Sequence, residues 1–137
     1  VSVREFLNRP FILNNKIHDK KIKLQCYKEL SCSISSPGFE EHYSSTRNTQ
    51  APFIRYLNKI RDLENEIEKD YKKLEELKKE VDDAIDVVED PMEQMVLRYR
   101  YLEFMSVPEI SVKMHYSLRW TKRLHSRAIL SFETGHP

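Results

Sequence analysis

From Phe53 onward, apolar side chains return every seven residues as Phe53, Ile60, Ile67, Leu74, Val81 and Val88, and Tyr56, Leu63, Leu77 and Ala84 fill most positions three further on. Rows at these two offsets draw one stripe along a helix, the seam of a coiled coil. The pattern predicts a helix of about 37 residues, roughly 55 Å long at 1.5 Å per residue. Asp70 interrupts the second row, as polar seam residues do when they set register or partner number. Upstream, Leu13, Ile17 and Leu24 stand at helical spacings, with Phe6 and Tyr27 in the same stretch. They predict an amphipathic helix that starts after Pro10, where the missing backbone donor would otherwise interrupt it. Between the two, Ser31 to Pro52 is rich in serine and turn formers and has no sustained period, so a loop over 31–52 is expected.

Downstream, the punctuation changes. Asp90 is placed to cap a helix, Pro91 suits its first position, and Glu93 closes a capping-box spacing. That helix is expected over Pro91 to Tyr101. Ser106 and Glu109 form a second box, with Met105 and Ile110 at the hydrophobic-staple positions, for a helix reaching Met114. His115 and Tyr116 make the turn, and Ser117 caps a third helix ending near Phe132. Two helices and a tight turn are the helix-turn-helix layout. Val96, Leu97, Leu102, Ile110, Met114, Leu124, Ala128 and Ile129 are expected to form one three-helix core, with Ser111 small where two helices approach.

The fold expected is therefore all-α: a long antiparallel helical hairpin or coiled coil over 1–90, followed by a three-helix helix-turn-helix domain over 91–137. The long helix exceeds what the small C-terminal bundle can cover. It must pack on the upstream helix, on a second copy of itself, or on both, and a homodimer through residues 53–88 is the expected partner arrangement.

Composition narrows the class. Across 137 residues there are only 2 glycines and 33% charged side chains, which suits a charge-rich helical protein. No apolar run approaches the roughly 20 residues a bilayer span needs, and no leader pattern is visible, so a cytoplasmic location without membrane attachment is expected. The net charge of +1 hides an uneven distribution: residues 1–52 carry 8 Lys/Arg against 5 Asp/Glu, 53–90 carry 8 against 13, and 91–137 carry 7 against 4. An acidic middle joined to a basic end assigns nucleic acid to the end alone. Cys26 and Cys32 are expected as reduced thiols, the five histidines show no metal-ligand spacing, and no phosphate loop, nucleophile elbow or triad is present. No catalytic residue, metal or cofactor is expected.

The run LRYRYLEFMSVPEISVKMHYSLRWTKRLHSRAI resembles the promoter-reading fourth region of bacterial sigma factors, with its LRYLEG-type helix end, EIA-type helix and serine-capped recognition helix. The chain as a whole, including the acidic helix ending AIDVVEDP and the stretch SISSPGFEEHYSSTRNTQAPF, resembles small phage and prophage regulators of Gram-positive bacteria, of the ArpU-like and RinA-like late-transcription kind. Two residues depart from the pattern: Phe104 stands where a glycine is common after the Leu-Glu pair, and His115 where a glycine is common in the turn. The resemblance implies a sequence-specific regulator of late genes in a bacterial host. It would bind double-stranded DNA through Ser117, Leu118, Arg119, Trp120, Lys122 and Arg123, with Thr121 and Leu124 facing inward and host RNA polymerase as a further partner; Lys113 is expected as an added contact that strengthens DNA binding without selecting sequence. The alternative from the residues themselves is a non-enzymatic adaptor, docking a protein through the coiled coil and the aromatic surface around Phe104, Tyr116 and Trp120.

Overall fold

Ser2 opens the first helix with a reciprocal capping box: its Oγ accepts from the Glu5 N–H at 3.2 Å, and the Glu5 carboxylate accepts from the Ser2 N–H at 3.2 Å. The computed structural model describes residues 2–34 and 47–136. Its elements are α1 (Val3–Ile34), α2 (Arg47–Ile85), α3 (Pro91–Tyr101), α4 (Val107–Met114) and α5 (Leu118–Gly135), with no strand among the described residues. The protein is all-α, as the periodicity predicts.

Helix α1 begins seven residues before Pro10 rather than after it. The box at Ser2 nucleates the first turn, and Pro10 lies fully buried, so packing offsets the hydrogen bond its ring removes. The loop expected over 31–52 is shorter at both ends, because α1 continues to Ile34 and α2 starts at Arg47. The remainder of that loop, 35–46, lies outside the described residues.

The heptad rows read from α2 are all buried or half-buried. On α1 the matching row is Val3, Phe6, Pro10, Leu13, Ile17, Lys20, Leu24, Tyr27 and Ser31, alternating by three and four, and it too is buried or half-buried. The sequence shows only part of this row because a proline, a lysine and a serine occupy three of its positions.

The chain divides into two compact units, Asn15–Lys72 and Val1–Asn14 with Lys73–Pro137. Within the first, Ile17, Leu63 and Ile67 are buried, and the helices run antiparallel: Lys28 pairs with Glu64 at 3.7 Å while Lys20 pairs with Glu66 at 3.6 Å and Asp70 at 2.5 Å. The polar interruption at Asp70 thus meets the lysine that interrupts the opposite row. This hydrogen bond, partly offset by desolvation, raises the Lys20 pKa. Tyr27 and Tyr56 stack 6.1 Å apart nearby.

In the second unit, the expected single core over 91–137 is two cores. Val96, Ile110 and Leu124 form one, with Tyr99, Met105, Met114 and Tyr116 packed against it. Leu97, Tyr101, Ala128, Ile129 and Phe132 form the other together with Leu7 of α1, Val81 and Ile85 of α2, and Val88. Val96 and Leu97 are neighbours about 100° apart around α3, so they enter different cores. Half of the helix-turn-helix is therefore sealed by the first turns of α1 and the last turns of α2, rather than by residues 91–137 alone. Arg98 fastens the same joint: its Nε donates to Asp82 at 2.7 Å, Nη2 to Asp86, and Nη1 to Gln94 at 3.0 Å.

Leu7 has no exposed surface, and Leu7→Ala should cost about 2–5 kcal/mol, the usual range for a large-to-small change in a core. Denaturant unfolding followed by circular dichroism checks this; a loss under about 0.5 kcal/mol would mean that the cluster is not a stabilising core.

Candidate nucleic-acid interface

Each of the three C-terminal helices starts on its expected cap. Asp90 accepts from the Met92 N–H at 2.9 Å, Ser106 Oγ from Glu109 N–H at 3.3 Å, and Ser117 Oγ from Trp120 N–H at 3.1 Å. Two boxes close differently from the expected form. Ser106 donates its hydroxyl to Glu109 Oε1 at 3.0 Å. Glu93, instead of returning to the backbone, is buried beneath α5 with Arg127 Nε 3.9 Å away.

The turn between α4 and α5 is a Schellman motif. His115 sits in the left-handed region at φ 60° and ψ 37°, its N–H bonds Val112 C=O, and the Tyr116 N–H bonds Ser111 C=O. The second departure, Phe104, also has positive φ, 59°. Both glycine-type positions therefore keep the glycine-type conformation while carrying a side chain. Phe104 uses its ring: it packs 5.9 Å from Phe11, and Lys78 Nζ lies 4.9 Å from its centroid. This added contact offsets the local strain.

Helix α5 presents the expected division of faces. Thr121 and Leu124 are buried, and Thr121 Oγ1 donates to the Ser117 carbonyl at 2.9 Å, so its polar atom is satisfied. Ser117, Leu118, Arg119, Trp120, Lys122 and Arg123 are exposed. Lys113 is exposed on α4 but engaged locally, 3.9 Å from Glu103 and 4.7 Å from the Tyr99 ring centroid.

One residue of this face escapes a reading that stops at Arg123. Arg119, Arg123 and Arg127 are each four apart and exposed, so they form one ridge about 12 Å long. The four-residue spacing was the available signal. Lys122, Arg123, Ser126 and Arg127 line a shallow basic cleft of about 430 Å³. No carboxylate occurs on α5 before Glu133, and Glu93 of α3 lies 3.9 Å from Arg127, so the ridge is most strongly cationic at Arg119 and Arg123. Phosphate oxygens are the natural match for such a fork-bearing surface.

Behind the ridge, Tyr101 and His125 join α3 to α5 through a 2.8 Å hydrogen bond, with rings 5.7 Å apart. Burial chiefly, and then the charges of Arg100 and Arg4, lower the His125 pKa below 6.5, and burial raises that of Tyr101. The bond joins Tyr101 Oη and His125 Nε2, and the imidazole tautomer sets which of the two donates. Among the described residues no group of three His, Cys, Asp or Glu is placed to hold a metal ion, and no helix is long and apolar enough to cross a membrane.

His115→Gly should stabilise the protein by up to about 1 kcal/mol, because the left-handed penalty exceeds the entropy that glycine adds to the unfolded chain; thermal melts of the two proteins test the sign. The folded state resists protonation at His125, so its contribution is complete above pH 6.5 and is lost as pH falls through the lowered folded value. His125→Gln should accordingly flatten the fall in unfolding midpoint between about pH 7.5 and 5.5. No family model, curated protein or solved structure matches this chain.

Proposed function

We propose that this protein is a sequence-specific DNA-binding transcription regulator, of the phage late-gene kind that the sigma-like run resembles, with α5 as its recognition helix. The observation that carries this reading is the exposed ridge of Arg119, Arg123 and Arg127, flanked by Lys122, on a serine-capped helix whose opposite face is buried. A helix of this build suits the major groove, where arginine can pair bidentately with guanine edges. Arg119 and Lys122 lie in the first turns and are assigned to bases. Arg123 is assigned to phosphate, and Trp120 to a sugar or base edge. The backbone amides following Ser117 open toward a further phosphate. Lys113, held by Glu103 and Tyr99, steers more than it specifies.

A two-fold pair of chains would supply two half-sites. The apolar seam over 53–88 is buried or half-buried within one chain. We therefore place pairing through that helix on its outer side, where Ile54 and Leu57 are exposed. Host RNA polymerase remains the partner implied by the sigma resemblance.

A protein-docking adaptor is favoured by a different observation: Val112, Leu118 and Trp120 are 75%, 41% and 40% exposed, an apolar share unusual for a pure phosphate surface. Salt separates the readings. Binding of the purified protein to phage-genome fragments should weaken steeply between about 50 and 200 mM salt and be confined to few fragments. Arg119→Ala should reduce specific binding by about 1–3 kcal/mol while sparing random DNA; Arg123→Ala should weaken both and reduce the salt slope by about one. Salt-insensitive capture of a protein, with no DNA retained, would establish the adaptor instead.

A further inference from the structure

Beyond Arg127 the exposed face of α5 changes character within about two turns. A cleft of about 560 Å³ opens there, bounded by the last turns of α5 on one side and, on the other, by the α2–α3 connection and the first turn of α3. Its carboxylates are Glu89, Asp90 and Glu93, and no lysine, arginine or histidine lines it. Neither Glu89 nor Asp90 takes part in an ion pair among the described residues, and Glu93 is matched only by Arg127 at 3.9 Å, at the boundary with the cationic ridge. The apolar lining is exposed: Val87 at 49% and Leu130 at 61%. Gly135 completes the wall, since a methyl there would come within 2.8 Å of Val87 Cγ1.

We propose that this cleft docks a cationic polypeptide segment that inserts an apolar side chain between lysines or arginines. The Glu89 and Asp90 carboxylates beside exposed valine and leucine disfavour a nucleic-acid backbone, so a polyanion on the ridge would leave α5 near Arg127. The same charge favours a basic protein segment, and the volume holds one large aliphatic side chain with the stem of a neighbouring lysine. The site does not depend on the DNA-binding reading.

The test uses the full chain, 15N-labelled, titrated with a synthetic peptide of alternating lysine and leucine, and with peptides in which leucine is replaced by serine or lysine by glutamate. Amide shifts should concentrate at Val87–Asp90 and Leu130–Gly135 with the lysine-leucine peptide. Glu89→Lys and Leu130→Ser, both at exposed positions that leave the core intact, should each weaken the response about ten-fold or more, an effect of the size expected for lost charge and lost apolar contact. Equal response to the lysine-serine peptide, shifts located elsewhere or absent, or indifference to both substitutions would overturn the proposal. So would a DNA duplex that perturbs the same amides, because the cleft would then belong to a nucleic-acid footprint.

Discussion

Helix α5 is held from behind by a core that it does not own. Ala128, Ile129 and Phe132 are buried in a cluster that Leu7, Val81, Ile85 and Val88 complete together with Leu97 and Tyr101 of α3, and the hydrophobic gain of covering such side chains, about 1.5–3 kcal/mol each, is lost if they face water. The orientation of α5 is thereby tied to the ends of two long helices. Arg98, reaching Asp82 and Asp86, adds a directional constraint to the non-directional one. The first turns of α1 and the buried face of α5 thus belong to one contiguous set of packed side chains.

Local backbone geometry sets the other half of the arrangement. The left-handed residue His115 turns the chain so that α4 and α5 meet across Ile110 and Leu124, while the left-handed Phe104 sets the approach of α4 to α3. A side chain at either place carries a steric penalty that glycine would not. At Phe104 the ring contacts Phe11 and Lys78, so the departure exchanges a conformational penalty for an anchor to the long helices. At His115, which is exposed, no ring or ion-pair contact of that kind occurs among the described residues.

Charge along α5 is zoned rather than mixed. Arginines four apart occupy its first half, and the acidic cleft flanks its end, with the Arg127 and Glu93 pair between them. Such zoning sets a positive potential over about the first three turns and a negative one at the last turns. The hairpin shows the same logic at a single site, where Lys20 and Asp70 meet at opposed interruptions of two apolar rows. A polar pair in a seam contributes little net stability but disfavours every register that would bury one charge alone.

Much of this was legible from residue order. Caps at Asp90, Ser106 and Ser117, the turn at His115, the seam of α2 and the inward faces of Thr121 and Leu124 follow from rules that act within a few residues, so sequence alone determined them. The box of Ser2 with Glu5 was equally available and would have started α1 before Pro10. Tertiary structure alone decided what partners each surface found. It joined Leu7 to Phe132 across 125 residues, paired Lys20 with Asp70, drew Glu93 away from its cap toward Arg127, and divided the expected core in two. Local hydrogen bonding and steric rules are encoded over one helical turn, whereas burial is a property of neighbours, and neighbours exist only once the chain has folded back upon itself.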